Sequence, residues 1–170
     1  MRRLYATPCK QDKDYGRFAR YYLAHCDQFD NQYSFHDALA HLIVSLRTSQ
    51  FMLYDDEDGN LQAYMQYRYE EGDNTVFIDS TIISPAYRSS RVFYRGFADW
   101  ARNVMEEQHG IRQVRFHVRA DHSYLNRLYA KFAERISERE SFGRAEYVYE
   151  TTFDELLRYL RVAISTKTGD

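Results

Sequence analysis

The spacing of apolar residues changes along the chain, and this change limits the folds that the sequence can adopt. Before Gln50 the apolar side chains recur every three or four residues, which is typical of amphipathic helices. From Gln50 to Ile83 they recur at every second residue, as in strands with one buried face. After Pro85 the two spacings alternate. The sequence therefore predicts an α/β fold with one mixed, mostly antiparallel sheet.

Two helices are predicted before the main part of the sheet. A short strand over residues 3–7 comes first, and an apolar helical stripe over residues 15–26 follows it. The segment "DQFDNQYS" breaks this stripe. A second stripe covers residues 35–46, with Ser34 as its N-cap.

The central strands are predicted to form a meander. "QFMLYDD" and "LQAYMQYRYE" flank the turn "DDEDGN", and "TVFIDSTIIS" is the third strand, which ends at Pro85 because proline cannot donate to a ladder. The rest alternates: a helix over residues 92–105, a strand over 112–119, a helix over 125–136, a strand over 145–152 and a last helix that opens with a capping box of Thr152 and Glu155. A parallel pairing through a β-α-β crossover is expected in this half.

Length and composition indicate one domain. The chain has 170 residues and a net charge of −2, so we expect one domain over residues 1–164, a flexible tail over 165–170 and no nucleic-acid or membrane partner. The two cysteines lack metal-ligand spacing, and the N-terminus lacks the apolar segment of a signal peptide. We therefore expect no metal and a cytoplasmic location. A weaker alternative is nucleic-acid binding through arginines beside aromatic residues, namely Arg112, Arg115, Arg119 and Arg127.

The stretch "IISPAYRSSRVFYRGF" joins a strand end to a helix start. Backbone N–H groups and the helix dipole converge at such a junction, which makes it suitable for an anion such as a pyrophosphate. Glycines are common there because the anion approaches the backbone closely, but this loop has Ser89 and Ser90, flanked by Arg88 and Arg91. Taken alone, the stretch also fits an ordinary polar loop.

Together with the later segment "VRFHVRADHSYLNRLYAKFAER", this loop resembles the GNAT superfamily of acyl-CoA N-acyltransferases. Those proteins carry a "V-x-P-x-x-R-x-x-G-x-G/A" loop and a later "V-x-x-x-N-x-x-A-x-x-L-Y-x-K-x-G-F" unit. The matching positions here are Ile83, Pro85 and Arg88, followed by Val118, Leu128, Tyr129 and Lys131. The positions that depart from the patterns are Arg91 and Phe93 for the two glycines, His122 for asparagine, Leu125 for the small residue, and Ala133 and Glu134 for "G-F". The resemblance covers about residues 50–149.

The resemblance implies a single-domain fold whose sheet is splayed at its centre and flanked by helices. It also implies an N-acyltransferase that moves an acyl group, by default acetyl from acetyl-CoA, to a primary amine by direct transfer in a ternary complex. The acceptor would be a small molecule or a peptide, and a homodimer is left open. The alternative is a catalytically inactive GNAT-fold binding or regulatory protein, which the replacement of both loop glycines favours.

The resemblance implies roles for particular residues. Tyr129 would protonate the departing thiolate, Asp79 would act as the base, and a backbone N–H near Ile82 or Ile83 would stabilise the oxyanion. Each side chain also has a structural alternative, Tyr129 in the core and Asp79 in a hydrogen bond. The cofactor-binding positions would be Ile82, Ile83, Arg88, Ser89, Ser90, Arg91, Val92, Phe93 and His122.

The acceptor would lie between the leading helices and the meander. Its lining would include tyrosines, namely Tyr21, Tyr22, Tyr33, Tyr64 and Tyr67. Nearby acids would suit a cationic acceptor, but a solvated loop also explains them and is the preferred interpretation: Asp27, Asp30, Asp55, Asp56 and Glu57. His117 alternates away from the apolar side of its strand, so it faces either a cleft or a helix.

Overall fold

The structure is a computed structural model that describes residues 3–26, 34–141 and 143–163. Seven strands lie within these residues: β1 (Tyr5–Pro8), β2 (Gln50–Asp55), β3 (Leu61–Glu70), β4 (Thr75–Ile83), β5 (Gln113–Arg119), β6 (Glu134–Ser141) and β7 (Arg144–Thr152). The same residues contain five α-helices: α1 (Asp12–His25), α2 (Phe35–Thr48), α3 (Ser90–Glu107), α4 (Ser123–Tyr129) and α5 (Phe153–Leu160). A short 3-10 turn, Pro85–Tyr87, follows β4.

The strands follow the order β1-β2-β3-β4-β5-β7-β6 in one open sheet. β2 pairs antiparallel with β1 and β3, and β7 pairs antiparallel with β5 and β6. The carbonyl of Asn74, just before β4, accepts a hydrogen bond of 2.7 Å from the N–H of Arg112, just before β5. These two strands therefore start side by side and run parallel, joined by the crossover helix α3. The predicted α/β fold with a mixed, mostly antiparallel sheet and flanking helices is confirmed.

The chain divides into two compact units, the first formed by Met1–Arg68 with Ile78–Val92. Its core forms where α1 and α2 turn their apolar faces toward β2 and β3. The ring of Phe18 lies 4.0 Å from that of Phe51 and 4.9 Å from that of Tyr64, measured between ring centres. α2 begins as predicted, because the hydroxyl of Ser34 accepts from the N–H of Asp37 and the Asp37 carboxylate accepts from the N–H of Ser34.

The second unit consists of Tyr69–Phe77 with Phe93–Asp170. Its core is largely aromatic: Phe97 stacks on Trp100 at 5.2 Å and meets Phe116 edge-on at 5.7 Å. α5 begins at the predicted cap, where the hydroxyl of Thr152 accepts from the N–H of Glu155 at 3.1 Å. Among the described residues, no helix combines the length and the apolar character needed to cross a membrane.

The predicted helix over residues 125–136 is wrong in its second half. α4 ends at Tyr129, and Glu134 already begins β6, a strand that the sequence did not predict. Phe132 fitted the apolar spacing of the helix, but it lies in the turn after α4. From that turn it packs on Phe97 and Phe116. The first strand also begins later than predicted, at Tyr5. The break over residues 27–33 and the tail over 165–170 lie outside the described residues, and the single domain over 1–164 stays a prediction.

Candidate functional site

The candidate site begins where β4 ends, in the first unit. The side chains of Ile82 and Ile83 are buried, at 4% and 7% exposure, so only their backbone can face a ligand. The N–H of Ser84 still donates to the carbonyl of Gln62 at 2.8 Å, so the strand end is held by β3. Pro85 then stops the ladder because it has no N–H to donate.

The turn after β4 is tied back onto the strand. The N–H of Tyr87 donates to the carbonyl of Ser84 at 2.9 Å, which closes the 3-10 turn. The Nε of Arg88 donates to the carbonyl of Ile83, also at 2.9 Å. Arg88 lies at the predicted rim of the loop, but part of its guanidinium fixes the loop on the strand end.

The start of α3 shows why serines stand in this loop. The hydroxyl of Ser89 accepts from the N–H of Val92 at 3.2 Å, so Ser89 is the N-cap of an 18-residue helix. Ser90 and Arg91 are exposed on the first turn. The positive end of the helix dipole and the charge of Arg91 therefore meet at a solvent-exposed position, which suits a phosphate group.

Phe93, at the second glycine position, belongs to the second unit. Its side chain is 6% exposed, and its ring lies 5.4 Å from Phe97 and 6.1 Å from Tyr129. The phenyl group therefore packs into the aromatic core of that unit. The large residue at this position is used for packing, and Ser90 and Arg91 of the same turn are exposed.

Tyr129 is the last residue of α4 and lies in the same aromatic cluster. Its ring stacks on Phe116 at 4.8 Å and also meets Phe132 at 6.2 Å and Tyr149 at 5.9 Å. The side chain is only 2% exposed. The ring is therefore rigidly held, as a core residue requires and as a positioned proton donor also requires.

Asn126 and His122 hold α4 in place. The Nδ2 of Asn126 donates to the carbonyls of Arg119 and His122, both at 3.0 Å, and its Oδ1 accepts from the hydroxyl of Tyr149 at 2.9 Å. The Nδ1 of His122 accepts from the N–H of Leu125 at 3.4 Å, so His122 is the N-cap of α4. The sequence did not indicate Asn126 or Tyr149, because their partners are backbone carbonyls and each other.

Asp79, the predicted base, forms an ion pair in the first unit. The Nε of Arg68 lies 3.3 Å from both carboxylate oxygens, and the Asp79 side chain is 19% exposed. Of the two alternatives given for Asp79, the structure therefore shows the hydrogen bond. If Asp79 acts as a base, Arg68 orients its carboxylate and must release one oxygen for the incoming proton.

The tyrosines predicted to line an acceptor cleft are mostly core residues. Tyr22, Tyr64 and Tyr67 are at most 1% exposed, so their prediction as lining residues is wrong, and Tyr33 lies outside the described residues. Tyr21 is 8% exposed, and its hydroxyl donates to the carbonyl of Gln62 at 2.8 Å and contacts the hydroxyl of Ser84 at 2.9 Å. Burial raises the pKa of Tyr21, so its phenol stays protonated and fixes the end of β4.

Two of the predicted acids, Asp55 and Asp56, have structural roles, and Glu57 is exposed. Asp55 forms an ion pair with Arg17. Asp56 accepts from the backbone N–H groups of Asp58 and Asn60, at 3.0 and 2.9 Å, and these bonds shape the β2–β3 turn. The hydrogen bond from Asn60 helps to lower the pKa of Asp56. Asp27 and Asp30 lie outside the described residues, and the described ones contain no group of three side chains suited to a metal ion.

His117 lies in a polar cluster on one face of the second unit. Its Nδ1 is 3.0 Å from a carboxylate oxygen of Glu146, and its ring centre is 5.2 Å from that of Phe77. The Nε of Arg139 donates to the same oxygen of Glu146 at 2.9 Å. The sequence could not indicate Arg139 as a neighbour, because it lies on β6, the strand that was not predicted.

Comparison with known proteins identifies this fold. No family model and no curated protein matches the sequence. Among solved structures, one assigned to the GNAT family of acetyltransferases, from Desulfovibrio desulfuricans, has 13% identity and a TM-score of 0.65 over 88% of this chain and 99% of that chain. A ribosomal-protein-S5-alanine acetyltransferase from Vibrio fischeri has 8% identity and a TM-score of 0.65 over 88% and 93%. A chimeric spermidine N-acetyltransferase from Vibrio cholerae has 13% identity and a TM-score of 0.64 over 89% and 98%. The chain has the GNAT fold, as its resemblance implied.

Proposed function

We propose that this chain, which has the GNAT fold, is a member of the GNAT superfamily and an acyl-CoA-dependent N-acyltransferase. It would transfer an acyl group, acetyl by default, directly to a primary amine within a ternary complex. The observation that carries the proposal is the junction of β4 with α3, where an exposed, capped helix N-terminus with Arg91 follows a buried strand end. The likeness to solved acetyltransferases supports it. We also propose a cytoplasmic location.

The cofactor site is proposed at the positions expected from the sequence, with revised roles for several of them. The first turn of α3, with Ser90, Arg91 and the backbone of Val92, would bind the pyrophosphate. The backbone of Ile82 and Ile83 would pair with the pantetheine arm. Four other predicted positions would support the site structurally: Arg88 on the strand end, Ser89 and His122 as caps, and Phe93 in the core.

Bound acyl-CoA would supply an acyl group activated as a thioester. Asp79 is proposed to accept the proton of the amine at a carboxylate oxygen, while Arg68 holds the other oxygen. Tyr129 is proposed to hold a proton at its hydroxyl for the leaving group, since its ring is fixed by four aromatic neighbours. A backbone N–H at Ile82 or Ile83 would stabilise negative charge on the carbonyl oxygen.

The acceptor is proposed to be a small-molecule or peptide amine. Among the structures with this fold, one is named for spermidine and another for the alanine of a ribosomal protein, which covers both classes. In the β2–β3 region, Asp55 is held by Arg17, and Asp56 is held by the turn backbone. A cationic acceptor would therefore need to displace these contacts, and amines of low charge are the first to test.

The test is release of coenzyme A thiol from acetyl-CoA in the presence of a panel of amines and N-terminal peptides. The proposed roles predict that Tyr129→Phe lowers kcat with little change in acetyl-CoA affinity, because the ring and its packing are kept. Asp79→Asn should lower the rate most at low pH, where the amine needs a base. Lys131→Ala, an exposed change two residues beyond Tyr129, is the control and should leave kcat unchanged. An unchanged kcat in both active-site variants would remove these residues from catalysis.

A catalytically inactive binding protein is the second candidate. The ion pair that holds Asp79 and the absence of glycine at positions 91 and 93 favour it. It predicts saturable acetyl-CoA or other ligand binding without thiol release for any acceptor. Transfer to a single amine above the rate of thioester hydrolysis would exclude this candidate.

A further inference from the structure

Within the described part of the chain, β6 forms one end of the sheet and pairs with β7 alone. Residues 134–140 are all exposed, and Ile136 is 48% exposed. An edge strand of this kind presents a row of N–H and C=O groups to which another strand can add. Charges often protect such edges against pairing, so the order of the charges decides whether a second strand is repelled or selected.

The charges of β6 are complementary to themselves in one antiparallel register. When Ser137 lies opposite Ser137 of a second copy, with Ile136 as the extra residue at the register shift, Glu134 lies opposite Arg139 and Arg135 lies opposite Glu138. Two-fold symmetry repeats both pairs, so every charge between positions 134 and 139 meets its opposite. The neighbouring two-fold registers centre the axis on Arg135 or on Glu138, and they bring Arg135 opposite Arg135 or Glu138 opposite Glu138. The sequence of β6 therefore selects one register over its neighbours.

The side chains of each pair also lie on the same face. In β6, Glu134 and Arg139 are opposite Glu150 and Glu146 of β7, which share one face of that strand. Arg135 and Glu138 are opposite Tyr149 and Tyr147, which share the other face. A regular strand could not place residues five apart on one face. The register shift between Arg135 and Ser137 makes it possible here.

The intrachain neighbours of β6 leave a charge imbalance that a second copy would correct. Glu134 lies opposite Glu150 in the ladder, and carboxylates in directly opposite positions repel each other. Glu150 already binds Arg115 at 2.6 Å. Arg139 binds Glu146 at 2.9 Å while its side chain stays 44% exposed, so its guanidinium can also reach a carboxylate beyond the edge.

We propose that β6 is a homodimer interface, in which two copies pair their β6 strands antiparallel with Ser137 opposite Ser137 and extend both sheets into one. The occupant is a second copy of this chain, because the charge order matches itself. The proposal rests on β6 and β7 alone and does not depend on the enzymatic proposal.

The test is sedimentation velocity over a concentration series with two single charge reversals, Arg135→Glu and Glu138→Arg. Each reversal places like charges opposite one another twice in the dimer, so each should weaken dimerisation by roughly tenfold or more. The double variant R135E/E138R should restore it, since the opposite charges are exchanged. An equimolar mixture of the two single variants should form heterodimers, because their charges are complementary.

Glu140→Arg is the control, because it makes the same charge change on β6 outside the four paired positions; it should leave the dimer intact. Circular dichroism and thermal unfolding of each variant establish that the fold is kept. A wild-type chain that stays monomeric throughout the series would overturn the proposal, and so would a dimer that both single reversals leave unchanged. Failure of the double variant and of the mixture to dimerise would overturn the register.

Discussion

Replacing Asn126 tests whether one side chain holds α4 on the sheet. Its Nδ2 lies within hydrogen-bond distance of the carbonyls of Arg119, Ala120 and His122, at 3.0, 3.3 and 3.0 Å. Its Oδ1 accepts from Tyr149 at 2.9 Å. Asn126→Ala removes all these contacts. The carbonyls of Arg119 and His122 keep the backbone N–H donors of His122 and Asn126, whereas the hydroxyl of Tyr149 must turn to water.

The expected loss of stability follows from the number of hydrogen bonds that the substitution removes. Nδ2 carries two hydrogens, so its three contacts amount to two hydrogen bonds, and the bond from Tyr149 makes a third. At about 1 kcal/mol for each bond, the loss is about 3 kcal/mol, and access of water to the half-buried site reduces it to about 2 kcal/mol. Tyr149→Phe removes one bond and should cost about 1 kcal/mol.

Urea unfolding can be followed through Trp100, the only tryptophan, which is fully buried in the same unit as Asn126. We expect a lower midpoint with an unchanged slope, and a coupling of about 1 kcal/mol between Asn126→Ala and Tyr149→Phe in a double-mutant cycle. Arg127→Ala, an exposed neighbour on α4, is the control and should change little. A loss below about 0.5 kcal/mol for Asn126→Ala would refute the reasoning, because it would fall within the range of surface substitutions.

Two further predictions concern titratable groups. Burial acts to raise the pKa of Glu146, but the hydrogen bonds and charges of His117 and Arg139 outweigh it and hold the pKa below the usual value of 4.5. Ionised Glu146 therefore stabilises the fold above about pH 4.5, and this stabilisation is lost as the pH falls. Glu146→Gln should make stability less dependent on pH in the acid range. An unchanged dependence would contradict this. Burial, with the nearby charge of Asp14, raises the pKa of Cys9 to about 12. Its thiol should therefore resist alkylation at pH 8 until the chain unfolds, and rapid labelling of Cys9 in the native chain would be the contrary result.

The elements with one buried face were predictable from the sequence. α2 follows its predicted N-cap, Ser34, and β5 runs from Gln113 to Arg119, one residue later at its start than predicted. Local capping and strict alternation are independent of the rest of the chain. β6 was not predicted. Residues 134–140 are exposed on both faces, so the strand has no apolar period, and Ile136 happened to extend the spacing of the preceding helix.

The candidate site was predictable only in part. The junction of β4 and α3 follows from Pro85 and from the serines of the loop, and the structure adds that Ser89 is the cap. The ion pair of Asp79 with Arg68 depends on the register between β3 and β4. The local sequence pattern does not predict this register. Tyr129 fitted both a core position and a proton donor, and its burial among aromatic rings is compatible with both.

Calorimetric titration of the full chain with acetyl-CoA tests the central claim most directly. The account predicts saturable binding at one site, with a gain in stability of roughly 3 kcal/mol at a hundredfold excess over the dissociation constant. Arg91→Ala, on the exposed first turn of α3, should weaken binding, whereas Arg102→Ala, farther along the same helix, should not. Absence of binding at millimolar acetyl-CoA, or equal affinity in the two variants, would contradict the proposed site.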